Sequence, residues 1–91
     1  MRLETLSSFR RCLKGLSDAL LFQVMEAMRR ADQVYGYTHL HAVIGMRRLG
    51  KLLECRDAFD YRIIFRRDQD SLLFLFYGTH DEVKAFIKNR S

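Results

Sequence analysis

The sequence predicts a single α+β domain spanning residues 1–91, with two N-terminal antiparallel helices packed on a twisted, mostly antiparallel sheet and a short C-terminal helix. Three observations predict it. Apolar residues between positions 9 and 31 recur at helical spacing. From Leu52 onward the pattern changes to apolar runs separated by turn residues. After Gly78 a last helical stripe closes the chain. Ninety-one residues lie near the lower end of what supports one core.

Arg2–Thr5 alternates and reads as a short strand. Phe9, Cys12, Leu13 and Leu16 follow the i, i+3, i+4, i+7 rule of a one-sided helix, with Ser7 or Ser8 as its cap and Gly15 near its end. Ser17 opens a second helix, in which Leu21, Val24, Met25 and Met28 repeat that spacing and Leu20, Ala27 and Ala31 widen the stripe. Gly36 offers a stop. Residues 37–45 read as a loop, and residues 46–49 as a short strand or turn. Leu52–Arg56 is a strand, residues 61–67 its hairpin partner, and residues 72–77 a third strand. Asp68, Gln69, Asp70 and Ser71 supply turn chemistry between the last two. The third strand is apolar on both faces, as an interior strand covered by helices would be. Residues 81–89 form the closing helix, with Val83, Phe86 and Ile87 turned inward.

Composition excludes several classes. An apolar content of 48% is that of a globular chain rather than a disordered one. No apolar run reaches the length of a membrane span, and Met1-Arg2-Leu3-Glu4 lacks the apolar region of a signal peptide, so a cytoplasmic location is expected. Cys12 and Cys55 are too few and too far apart for a disulfide framework or a zinc pair, and read as buried thiols.

Net charge is +5, and residues 46–67 alone carry +4. A basic face on a small domain attracts nucleic acid or an acidic protein. Strand parity sorts this charge. Leu53 and Cys55 share one face of their strand, and Tyr61, Ile63 and Phe65 share one face of the next. If these pack beneath the helices, Glu54, Arg56, Arg62 and Arg66 fall on an open face, and His80 arrives where the third strand ends. Three guanidiniums suit a phosphate backbone, because the planar fork donates paired hydrogen bonds and stays charged. The plainer reading is a solvated face whose arginines pair with Glu54, Asp57 or Asp60.

RNA cleavage without a metal needs a base for the 2′-hydroxyl, a cation for the reacting phosphate and an acid for the leaving 5′-oxygen. His80 has the right chemistry for acid or base. Glu54 is a candidate partner base, with Arg56 and Arg62 as the stabilising cations. Taken alone, His80 is better explained as a structural neighbour of a helix cap. His39 and His41 form a His-x-His pair, but no Cys-x-x-Cys accompanies it and no metal or cofactor is expected. The Gly-x-x-x-x-Gly-Lys from Gly45 to Lys51 is followed by Leu52 where a phosphate loop has Ser or Thr, which removes it from consideration.

Taken in order, Arg47-Arg48-Leu49, Glu54-x-Arg56, Tyr61-Arg62 leading an apolar strand, and Gly78-x-His80-Asp81-Glu82-Val83 resemble the RelE/ParE superfamily of bacterial type II toxins. The resemblance covers residues 46–86, nearly half of the chain. It implies the fold given above and the toxin component of a toxin–antitoxin system. RelE-like members cut mRNA on the ribosome without a metal and so inhibit translation; ParE-like members inhibit DNA gyrase. The implied partners are a cognate antitoxin, in a hetero-oligomer, and ribosome-bound mRNA, with no membrane. By resemblance Arg62 stabilises the reacting phosphate, His80 serves the acid/base step and Arg56 is the basic residue before the hairpin. Glu54 and Lys84 are further catalytic candidates. Arg47, Arg48, Lys51 and Arg66 would bind RNA. Two departures stand out: Lys84 occupies the place of a common aromatic residue, and Leu52 and Glu54 stand where some members carry lysines. The alternative is a non-enzymatic module, either a ParE-like gyrase inhibitor or a degenerate toxin that only binds its antitoxin.

Overall fold

The computed structural model describes residues 1–41 and 45–90. Five strands and three α-helices follow one another along these residues: β1 (Arg2–Thr5), α1 (Ser7–Cys12), α2 (Asp18–Val34), β2 (Arg47–Leu49), β3 (Leu52–Arg56), β4 (Arg62–Asp68), β5 (Ser71–Gly78) and α3 (His80–Arg90). The sheet order is β1-β5-β4-β3-β2, with β1 parallel to β5 and the other three pairings antiparallel. The fold is therefore α+β with a mixed sheet, and the expected third strand lies in its interior between β1 and β4.

The N-terminal helices differ from the expected pair. Ser7 and Ser8 do not cap α1: the N-cap is Leu6, with no side-chain bond. The Ser8 hydroxyl instead donates to the Leu75 carbonyl at 2.6 Å, tying α1 to β5. This helix is one and a half turns long, because Gly15 turns the chain at φ +78° before the stripe reaches Leu16. Ser17 does cap α2, accepting from the Leu20 N–H. The last turn of α2 is closed by His41, whose Nε2 lies 3.2 Å from the Val34 carbonyl and 3.0 Å from that of Tyr35. Residues 38–40 form one 3₁₀ turn, and part of the expected loop, residues 42–44, lies outside the described residues.

Gly50 and Lys51 link β2 to β3 in a two-residue turn closed by the pair Leu49↔Leu52. Gly50 sits at φ +64°, in the first position that such hairpin turns reserve for glycine. Gln69 and Asp70 form the corresponding turn between β4 and β5.

Both sheet faces are covered. On the first, Phe9, Val24, Ala27 and Ala31 of the helices pack on Leu53, Cys55, Ile63, Phe65 and Phe74. On the second, Val83 of α3 packs on Ile64, Leu73 and Leu75, with Phe76 stacked on Phe86 at 4.5 Å between centroids. A bulge in β5 makes both faces possible. Ile64 pairs with Phe76 and Phe65 with Phe74, so Leu75 is the extra residue. Leu75 and Phe76 thus both serve the α3 face, and Tyr77 returns to the α2 face.

The second core corrects the expectation of an open face. Parity did place Glu54, Arg62 and Ile64 together, but α3 packs on that face because Ile64, Leu73 and Leu75 demand an apolar cover. Glu54 is 2% exposed and Arg62 8%. No surface of three guanidiniums results.

Candidate functional site

The site begins with the cap of α3. Thr79 N–H donates to Glu82 Oε1 at 2.8 Å, and Glu82 N–H donates to Thr79 Oγ1 at 3.2 Å. This reciprocal box fixes the first helical residue as His80. From there Val83, Lys84, Ile87 and Lys88 follow at i+3, i+4, i+7 and i+8, one stripe of the helix. Gly78 lets the chain turn into this cap. A Cβ there would lie 2.9 Å from Glu82 Oε1 and 3.1 Å from Phe76.

That stripe faces the β2–β3 hairpin across a cleft of about 290 Å³, whose opposite wall is Arg47, Leu49 and Glu54. Leu49, Val83 and Ile87 make its apolar lining, while His80, Lys84, Lys88 and Arg47 bring an imidazole and three cations to it. Glu54 anchors the arginine. Arg47 Nε donates to Glu54 Oε1 at 3.0 Å, and Arg62 Nη1 donates to the same oxygen at 2.8 Å. Register explains the meeting: Arg47 pairs with Glu54 across β2 and β3, and Arg62 lies on the same face of the adjoining β4, two residues from Glu54's partner Ile64. The arrangement can hold an anion at the exposed Arg47 and Lys84, beside an imidazole able to give or take a proton.

Of the residues selected from sequence, Arg47, Glu54, His80 and Lys84 meet in this cleft. Arg62 lies behind it, joined through Glu54. Arg56 is exposed but turned to Asp60, with nitrogen and oxygen 3.6 Å apart, and its stem passes beside Gly45, where an added Cβ would lie at ordinary contact distance from it. Arg48 and Lys51 are exposed on the hairpin, and Arg66 is half-buried opposite Leu73. None of these four lines the cleft. Sequence reasoning passed over Leu49, Ile87 and Lys88 as cleft residues. The Thr79-x-x-Glu82 pattern was the available signal, since it sets the phase of the α3 stripe.

His39 and His41 do not meet as ligands: His39 lies edge-on to Tyr37 at 6.2 Å, and His41 closes α2. Among the described residues no group of three His, Cys, Asp or Glu is placed to hold a metal. A larger hollow of about 520 Å³ lies on the other side of α3, between Arg11, Tyr61 and Phe86, and contains none of the selected residues. No helix among the described residues is long and apolar enough to cross a membrane.

No protein-family model and no curated protein matches the sequence. Solved structures do match the fold. The chain is similar to a RelB–RelE antitoxin–toxin complex from Methanococcus jannaschii, at TM-score 0.66 and 10% identity, with 91% of this chain and 96% of that one covered. YafQ from E. coli matches at TM-score 0.61 and 17% identity, with 91% and 98% covered. A copper-bound mutant toxin from Helicobacter pylori matches at TM-score 0.60 and 24% identity, again over 91% and 98%. The chain therefore has the RelE-like toxin fold.

Proposed function

We propose that the protein is the toxin component of a type II toxin–antitoxin pair and that it cleaves ribosome-bound mRNA at the cleft between α3 and the β2–β3 hairpin. The observation that carries this reading is the convergence of His80, Lys84 and Arg47 on one cleft in a RelE-like fold. In the proposed reaction a base takes the 2′-hydroxyl proton and the oxygen attacks the adjacent phosphorus. The bond to the 5′-oxygen then breaks, and an acid protonates the leaving oxygen, giving a 2′,3′-cyclic phosphate. His80 is assigned one of the two proton transfers. Arg47 and Lys84 hold the phosphate and balance the charge that grows on it.

The antitoxin reading is supported by the solved complexes of this fold, which contain a RelB chain. An antitoxin covering the cleft would silence it by excluding RNA.

One observation favours a second reading. Arg62, the arginine to which the resemblance assigns the reacting phosphate, is buried and bonded to Glu54. A degenerate toxin that binds its antitoxin without cutting, or a gyrase inhibitor, fits that feature. Induced expression separates these readings. Growth arrest with loss of translated messages, both relieved by His80→Ala, supports cleavage. Arrest with messages intact and signs of DNA damage supports gyrase, and absence of arrest supports the degenerate form.

A further inference from the structure

We propose that Arg62 is a positioning residue: through Glu54 it holds the Arg47 guanidinium at the cleft, and Arg47 rather than Arg62 meets the RNA phosphate. This rests on reading the cleft as a phosphate site. Four observations lead to it. Arg62 is 8% exposed and does not line the cleft, whereas the Arg47 side chain is 56% exposed and does. Both donate to the same oxygen, Oε1 of Glu54, at 2.8 and 3.0 Å. Among the described residues the buried Nε of Arg62 has no hydrogen-bond partner, a state that carries a desolvation cost. The Nη1 bond to Glu54 is what keeps the side chain there. Finally, Arg47 stands on a three-residue edge strand, where little else among the described contacts fixes a long side chain.

The charges give the arrangement its purpose. A pair of Arg47 and Glu54 alone is neutral and would offer an incoming phosphate only a dipole. With Arg62 behind it the group carries one net positive charge, and the exposed member presents that charge to the ligand. The buried arginine thus offsets the carboxylate, and the carboxylate orients the exposed arginine. A cation held in place before the ligand arrives loses less freedom on binding than one that must be ordered then.

The test is binding of a fluorescein-labelled single-stranded RNA 12-mer by anisotropy at low salt, with thermal melts to establish that each variant is folded. Arg47→Ala is expected to weaken binding about tenfold, the scale of one charge-assisted contact. Arg62→Met should weaken it severalfold, Arg62→Lys should restore most of the loss, and Arg62→Met should cost less when added to Arg47→Ala than it does alone. Glu54→Leu combined with Arg62→Met, which fills the site with apolar groups, keeps the test open if the single Arg62→Met chain does not fold, and should bind severalfold more weakly than the wild type but better than Arg47→Ala, since Arg47 keeps its charge and loses only its anchor. If Arg62→Met costs as much in the Arg47→Ala background as alone, Arg62 touches the phosphate itself and the proposal fails. Wild-type affinity in the Glu54→Leu/Arg62→Met protein overturns it too. An Arg47→Ala protein that binds like the wild type, or a wild type that does not bind, instead removes the cleft reading on which the proposal rests.

Discussion

Arg62 on β4 reaches across the sheet to Glu54 on β3, with Nη1 2.8 Å from Oε1, and both residues are buried. An ion pair with partners this well buried is costly to break from one side, because the remaining charge keeps its burial and loses its partner. Glu54→Ala is therefore expected to destabilise the fold by about 3–5 kcal/mol. Replacing both members, Glu54→Leu with Arg62→Met, should recover most of that loss. Urea unfolding of the three proteins measures it.

The capping box at the start of α3 positions the cleft as well as the helix. Thr79→Ala removes the acceptor for the Glu82 N–H and is expected to cost about 1 kcal/mol. Gly78→Ala should cost more, because the new Cβ meets Glu82 Oε1 at 2.9 Å and pushes that carboxylate from the Thr79 N–H. Thermal melts give the cost. Nuclear magnetic resonance shifts of His80 and Lys84 should move in both variants, since their phase on α3 begins at this cap.

Alkaline pH should weaken the fold. Burial pushes the Cys55 thiol from 9.0 up to about 12. Burial, together with the 2.7 Å hydrogen bond from its hydroxyl to Asp57, also raises the Tyr77 phenol well above its usual range. In the folded state both groups keep protons that the unfolded chain has released. Their stabilising effect is therefore complete below about pH 9 and declines as pH rises toward 12, by up to about 1.4 kcal/mol per pH unit for each titrating group. Urea midpoints from pH 7 to 11 check this, and Tyr77→Phe should flatten the decline above pH 10.

The same burial separates the two cysteines. Only the thiolate reacts with alkylating agents, so Cys55 should resist iodoacetamide in the native protein at pH 8. Cys12, half-buried on α1, should label first. Mass spectrometry is expected to show one label in native buffer and two in denaturant; rapid native labelling of Cys55 would contradict its place in the core.

Several elements could be read from the residues because one-dimensional patterns decide them. Leu52–Arg56 stands with the bounds its composition gave, and the stripe of Val83, Phe86 and Ile87 did turn to the sheet. The second helix began where Ser17 put it. The short strand β2 had a usable sign in its two-residue Gly50-Lys51 link, and α3 had one in Thr79-x-x-Glu82. The bulge at Leu75 had none: in a run apolar on both faces, an extra residue disturbs no alternation. Arg62 shows the deeper limit. Parity gave its face correctly, but whether that face meets water depends on how α3 packs, and that is a matter of tertiary contact. The cleft shares this property, since Arg47 and His80 are brought together by two elements distant in sequence.

The most direct test of the central claim is 5′-end mapping of an mRNA held on programmed ribosomes, after incubation with purified wild-type, His80→Ala or Arg47→Ala protein. Cleavage at the cleft gives new 5′ ends with the wild type and about 10²-fold slower cutting with His80→Ala, the scale of one lost proton-transfer group. Arg47→Ala should also slow the cutting. Intact mRNA with the wild type, or undiminished cutting by both variants, would contradict it.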